Sequence, residues 1–244
     1  MVMGNTSGNR NRLKLASYNI RKAKGVDRRY DPGRIIDILA GLEADVVAVQ
    51  EADFRWGDRP GALPAALIAG HTDYELVPVA QHPDSLGWHG NAVLVRRGTI
   101  VRQVTRLTLP GLEPRGALRI DLDIGGPFSV VATHLGLTRY HRQAQLAAIL
   151  GAVALDDYPT AIMGDFNEWS ATRGLDPLQG DFAIHAPGKS FHASMPMAAL
   201  DRIALGGGMA LTDGGVVQTV QSLRASDHLP IWGEVAFTSR KPAN

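Results

Sequence analysis

The 244-residue chain contains no cysteine. Disulfides, thiolate metal sites and cysteine nucleophiles are therefore excluded, and any metal must sit on Asp, Glu, Asn or His. Oxygen-rich ligand sets of that kind favour hard ions such as Mg²⁺, Mn²⁺ or Ca²⁺. No apolar run reaches the roughly 18 residues that a membrane span needs, so no span is expected. The polar segment 1–12 lacks the apolar centre of a signal peptide, which gives the expectation of a soluble, cytoplasmic protein. A dominant charge is missing too. The formal net charge is +1, so there is no broad basic field to drive tight nonspecific DNA binding. Lysine is scarce: Lys14, Lys22, Lys24, Lys189 and Lys241 are the only ones. The cations are nearly all arginine, which matches phosphate oxygens in a bidentate way. A GC-rich genome produces the same bias.

What is present is an alternation of short β-type runs with helical stretches, without internal repeat or linker. Strands are predicted at 13–20, 45–50, 74–79, 91–96, 100–107, 117–124, 128–135, 160–165, 199–205, 216–220 and 230–237. A helix is predicted at 32–42, with Asp31 as N-cap and Pro32 at the first position. Others are predicted at 61–69, at 139–155 with Thr138 as cap, and at 172–178. Several neighbouring strands lack an intervening helix, and 100–135 reads as antiparallel. The pattern predicts an α/β chain with two mixed sheets packed together and helices outside. One domain is expected over 13–238, with flexible tails at 1–12 and 239–244.

Polar residues gather where the strands end: Asn19, Gln50-Glu51, Thr133-His134, Asp165 and Asn167, Asp201, and Asp227-His228. Acids, amides and histidines at strand ends predict a site at one edge of the sheets. Such a set suits phosphoester chemistry. A carboxylate-held metal neutralises charge on phosphate and polarises water or the leaving oxygen. A histidine oriented by an aspartate moves a proton, and a fixed amide or imidazole meets the developing charge.

Seven blocks in chain order carry a resemblance. They are Ser17-Tyr18-Asn19-Ile20, Val49-Gln50-Glu51, Gly90-Asn91-Ala92-Val93-Leu94, Thr133-His134-Leu135, Gly164-Asp165-Phe166-Asn167, Leu200-Asp201-Arg202-Ile203 and Ser226-Asp227-His228-Leu229-Pro230. Together they resemble the endonuclease/exonuclease/phosphatase superfamily, in its small bacterial members. The resemblance implies the DNase I-like fold, a four-layer sandwich of two packed mixed β-sheets flanked by α-helices. It implies Glu51 as principal metal ligand, supported by Asn19 and Asp227, with Mg²⁺ or Mn²⁺ bound and Ca²⁺ as a further candidate. It implies His228 as catalytic histidine, Asp201 as its orienting partner, and Asp165 as the residue that activates water or shuttles the leaving-group proton. Asn167 would hold a phosphate oxygen or the nucleophile, and His134 would donate to the phosphate. Arg115 is a further phosphate-clamp candidate by position. Each assignment has a plainer reading beside it: a turn for Asp165 and Asn167, a salt bridge to Arg202 or another arginine for Asp201, a buried histidine for His134, a surface arginine for Arg115.

The match departs at Asn19-Ile20-Arg21-Lys22. DNA-repair members usually carry an acid or amide where Arg21 stands, so an abasic-site repair role is not expected. The expected activity is phosphodiester hydrolysis, with DNA or RNA as partner. The alternatives are a phospholipid or small phosphoester substrate at the same site, or a non-catalytic binding module. No protein partner is expected.

Overall fold

The computed structural model describes residues 12–153, 158–170 and 173–237. The tails expected at 1–12 and 239–244 thus lie, but for Arg12, outside the described residues. Two six-stranded sheets form the body. The first contains β1 (Arg12–Asn19), β2 (Val46–Gln50), β3 (Tyr74–Leu76), β4 (Ala92–Arg96), β11 (Met209–Val216) and β12 (Ile231–Phe237), in the order β11-β12-β1-β2-β4-β3. The second contains β5 (Ile100–Leu109), β6 (Arg115–Asp123), β7 (Pro127–His134), β8 (Thr160–Asp165), β9 (Phe182–His185) and β10 (Asp201–Gly206), in the order β5-β6-β7-β8-β10-β9. Each sheet has one parallel pair, β1–β2 and β7–β8, and is otherwise antiparallel. Helices α1 (Pro32–Gly41) and α2 (Ala65–His71) cover the outer face of the first sheet. Helix α3 (Arg139–Val153) covers the second, and α4 (Ser222–Ala225) precedes the last strand. These are the four layers of the DNase I-like sandwich.

Strand alternation explains the layers, because successive side chains face opposite sides of a sheet. In β1, Leu13 and Leu15 enter the core between the sheets, whereas Ala16 and Tyr18 meet α1. In β7, Phe128, Val130 and Ala132 face inward and Val131 faces α3. In β8, Ala161 and Met163 face inward and Ile162 faces α3. In β10, Ile203 and Leu205 repeat the pattern. Extended by one more step of two, these inward rows reach His134, Asp165 and, at the start of β10, Asp201; in β1 two steps, through Ser17, reach Asn19. Four of the expected site residues therefore continue the central core into one rim of the sandwich.

Asp31 caps α1 by accepting the Arg34 N–H at 3.2 Å, with Pro32 in the first turn. Thr138 Oγ1 accepts the His141 N–H at 3.4 Å ahead of α3. Other expectations need correction. The helix expected at 61–69 starts only at Ala65, because Gly61 bridges to Asp53 and Pro64 holds an extended conformation. The strand expected at 74–79 ends at Leu76; the Val77 N–H makes one more backbone hydrogen bond, to the Val93 carbonyl at 2.9 Å, and Val77 and Val79 continue into the core. The strand expected at 216–220 ends where it was expected to begin. It is β11, entered through Gly207 and Gly208, whose positive φ angles carry the chain from one sheet to the other. Of the helix expected at 172–178, only a 3₁₀ turn over Asp176–Leu178 forms among the described residues. Residues 154–155, the expected end of α3, lie outside them.

Candidate active site

The segment Gly164-Asp165-Phe166-Asn167 shows why its residue types are needed. Gly164 lies so close to β7 that a Cβ would stand 1.8 Å from the Thr133 carbonyl oxygen, and its φ is +151°. Phe166 is fully buried against the α3 side of the sheet. Asn167 adopts φ +51°, a left-handed turn that asparagine tolerates. Its backbone N–H donates to Asp165 Oδ1 at 2.9 Å, and its Nδ2 donates to the Leu135 carbonyl at 2.9 Å. The strand end is thus locked to β7, and the Asp165 carboxylate is fixed in one orientation.

Three nitrogens converge on the other oxygen, Asp165 Oδ2. Asn19 Nδ2 donates to it at 3.0 Å from the opposite sheet. His134 Nε2 stands at 3.4 Å and His228 Nε2 at 3.5 Å. Sheet register supplies much of this arrangement, since His134 and Asp201 are the direct cross-strand partners of Asp165. Asp201 in turn receives His228 Nδ1 at 2.8 Å and the Ser190 hydroxyl on the same Oδ2. The Phe191 ring packs 5.0 Å from the His228 ring, centroid to centroid. Asp201 is therefore in direct hydrogen-bond contact with the His228 ring. The salt-bridge alternative to Arg202 fails, because Arg202 projects from the other face of β10 and donates to the Glu168 carbonyl at 3.3 Å.

Burial sets the charges. Desolvation pushes the Asp165 carboxyl up to about 6, with the Asp201 charge adding and the His228 charge opposing. Burial alone would push the His228 imidazole down, but the charges of Asp201 and Asp165 and the hydrogen bond to Asp201 hold it up at about 10. Burial drives the His134 imidazole well below its ordinary value, and the charges of Arg115 and His228 push the same way. At neutral pH the rim then holds a protonated His228, a neutral His134 and an ionised Asp165.

The other expected residues lie beside this cluster. A cavity of about 300 Å³ is lined by His134, Glu51, Arg115 and Lys22 among others. Glu51 leaves β2 with φ +54°, and its carboxylate is ion-paired with the Lys22 ammonium. Arg115 is buried rather than a surface arginine, and pairs with Glu113 at 2.7 Å. Asn19 Oδ1 accepts the Arg21 N–H at 3.1 Å. Asp227 turns to Arg21, at 3.3 Å. Sequence reasoning missed Lys22 and Ser190. Lys22 stands three residues after Asn19, in a block already singled out. Ser190 has no local signal, since nothing in its loop is periodic.

Metal fit can be judged from the donors. Ligand atoms of Asp165, Asp201 and His228 all lie within 4.8 Å of one another. In that group His228 is already committed to Asp201, while Asp201 Oδ1 is buried without a partner. At Glu51 the Lys22 ammonium rests on Oε2, so a cation already occupies the place on this carboxylate that a metal would take. The donors are oxygens and one imidazole, a set that suits a hard divalent ion.

A two-sheet sandwich with paired histidines and carboxylates at one rim defines a phosphoesterase class. The sequence profile of the Endonuclease/Exonuclease/phosphatase family matches residues 16–228, and the chain belongs to that family. Its members are hydrolases of phosphoester bonds and generally use divalent metals. The chain is 28% identical to the uncharacterized protein YbhP of Escherichia coli (strain K12), with 91% of this chain and 96% of that protein covered. Among solved structures, a functionally unknown conserved protein from Enterococcus faecalis V583 is similar at a TM-score of 0.76 and 20% identity, covering 92% of this chain and 100% of the other. An endonuclease/exonuclease/phosphatase from Beutenbergia cavernae DSM 12333 is similar at a TM-score of 0.73 and 21% identity, covering 96% and 74%. Both structural likenesses concern the fold. No helix among the described residues is long and apolar enough to cross a membrane.

Proposed function

We propose that this chain is a divalent-metal-dependent phosphodiesterase whose reaction is run by Asp165, His228 and His134. The convergence of three nitrogens on Asp165 Oδ2 carries the reading. Glu51 would hold the metal, with Asn19 Oδ1 and Asp227 in support. Mg²⁺ or Mn²⁺ bound there would supply charge neutralisation at the phosphate.

The chain's own groups do the rest. Asp165, an ionised carboxylate fixed by Asn19 and the Asn167 N–H, accepts the proton of the attacking water. His228 is held as an imidazolium by Asp201 and faces the charge that develops on the phosphate. His134, neutral and buried, donates one N–H to a phosphate oxygen without adding charge. Arg115, whose Nε and Nη2 donate to Glu113, would offer its remaining N–H groups to another phosphate oxygen. Asn167 fixes the loop and stands next to the nucleophile.

A nucleic-acid strand is the first substrate reading, supported by the family and by the exposed Trp56 at the cavity, where a base could stack. A second reading keeps the chemistry and takes a small phosphoester or lipid head group. The modest cavity volume of about 300 Å³ and the net charge of +1 favour it. The test is a panel of DNA, RNA, phospholipid and small phosphoesters with Mg²⁺, Mn²⁺ or Ca²⁺. Turnover confined to polynucleotides removes the second reading. Turnover confined to small esters or lipids removes the first. Turnover of none of them, with any metal, removes the proposal.

A further inference from the structure

The cavity beside His134 carries more positive charge than the reaction uses. Lys22, Arg55, Arg59 and Arg115 line it. Two of them are neutralised: Lys22 pairs with Glu51, and Arg115 with Glu113. Arg59 is not. Its Nη1 meets His89 Nδ1 at 3.3 Å, and its Nε is buried without a hydrogen-bond partner. Asp53 is the nearby acid and the two charges attract, but its oxygens accept the backbone N–H groups of Leu86 at 2.7 Å and Gly87 at 3.2 Å rather than the guanidinium.

His89 cannot serve as a counter-ion. Burial, with the Arg59 charge adding, keeps its imidazole neutral. A neutral imidazole accepts on one nitrogen and donates on the other. Here Nδ1 must accept from the guanidinium. The contact orients Arg59 without discharging it. The Arg59 backbone is fixed as well, since the Ser85 hydroxyl donates to its carbonyl at 2.6 Å. A half-buried guanidinium that is held in place with no carboxylate in direct contact gains from an anion that arrives beside it.

Its position separates this charge from the reacting phosphate. Arg59, His89 and Asp53 form the wall shared with a second cavity of about 200 Å³, whereas His134, Arg115 and Glu51 line the first cavity alone. We propose that Arg59, oriented by His89, is a second anion subsite. It would take a phosphate or carboxylate carried by the same small substrate whose ester phosphate sits at His134 and Arg115. The substrate class that follows is a compact phosphoester with a second anionic group, small enough for a cavity of about 300 Å³. This rests on the phosphoesterase reading.

Binding to Asp165→Asn, followed by calorimetry, separates the subsite from the chemistry. The probes share six carbons: glucose 6-phosphate, 6-phosphogluconate and glucose 1,6-bisphosphate. At least one of the two doubly anionic probes is expected to bind about tenfold tighter than glucose 6-phosphate, the scale of one charge-assisted hydrogen bond. The better of the two identifies the group as carboxylate or phosphate. In Asp165→Asn carrying Arg59→Gln as well, the preference is expected to collapse to within about twofold, while Arg59→Lys restores part of it. Equal binding of all three probes, or a preference that survives Arg59→Gln, overturns the subsite. Tighter binding of a ten-residue oligothymidylate than of any probe, weakened by Arg59→Gln, hands Arg59 to a nucleic-acid strand and overturns the small-substrate assignment. If the preference is seen but wild type hydrolyses no phosphoester, the subsite stands and the phosphoesterase reading fails.

Discussion

Glu168→Gln should destabilise the protein far more than a neutral replacement usually does. The Glu168 side chain is 2% exposed and that of Arg142 is 5% exposed, and they meet at 2.6 Å. Glu168 Oε1 also accepts the Ser170 N–H at 2.9 Å and Arg139 at 3.5 Å. Glutamine can keep one acceptor but leaves Arg142 buried with only the Gly136 and Leu137 carbonyls, at 3.4 and 2.6 Å. Breaking one side of a buried pair costs about 3–5 kcal/mol, and the remaining hydrogen bonds place this case near the lower figure. For a domain of this size, about 3 kcal/mol corresponds to a fall in Tm of roughly 6–12 °C. The pH dependence gives a sharper check. Burial would raise the Glu168 carboxyl, but the Ser170 N–H and Arg142 outweigh it and hold it below its ordinary value. A depressed carboxyl contributes stability above its unfolded value, near about 4.3, and loses it as pH falls through the folded value. The gap between wild type and Glu168→Gln, read by calorimetry or chemical denaturation, should be full at pH 7 and shrink below about pH 4. Equal Tm values at pH 7, or a gap that persists at low pH, would refute the reasoning. The loop at stake is the one that continues from Asn167, so catalytic geometry and stability meet at this pair.

Asp201→Asn should lower kcat by about 10²-fold or more, because His228 loses the charge that holds its proton, while a circular-dichroism melt stays cooperative; an unchanged kcat would remove Asp201 as orienting partner. Gly164→Ala is expected to give little folded protein in a soluble-yield assay, since its Cβ would meet the Thr133 carbonyl at 1.8 Å; a normal yield contradicts the close approach. Lys22→Met should tighten Mn²⁺ binding by about threefold in titration calorimetry, the scale of a part-exposed ion pair, because the ammonium no longer competes for Glu51. Unchanged affinity would place the metal elsewhere.

Much of the rim was legible because it obeys strand alternation. Asn19, His134, Asp165 and Asp201 continue the rows of Leu15, Ala132, Met163 and Ile203, so a period-two reading of the strands already points them inward. The two-sheet class followed from strands lacking helices between them. What failed were elements without periodicity. β9 was missed because three half-buried residues and the exposed Ala183, following a 3₁₀ turn, carry no pattern. β11 was misplaced because Asp213, Gly214 and Gly215 look like a turn, and only pairing with β12 makes them a strand. Charge pairing was equally invisible. Nothing in the sequence shows that Lys22 rests on Glu51, that Asp227 turns to Arg21, or that Ser190 shares Asp201 with His228.

The proposed function stands on Asp165 acting in a metal-supported hydrolysis of a phosphate ester. The direct measurement is the initial rate on bis(p-nitrophenyl) phosphate for wild type and Asp165→Asn, each with Mn²⁺ and with chelator. Turnover is expected from metal-loaded wild type alone, with Asp165→Asn inactive yet melting as a folded protein. Turnover that survives in Asp165→Asn or in chelator, or a wild type inert to this and every other phosphoester, would contradict it.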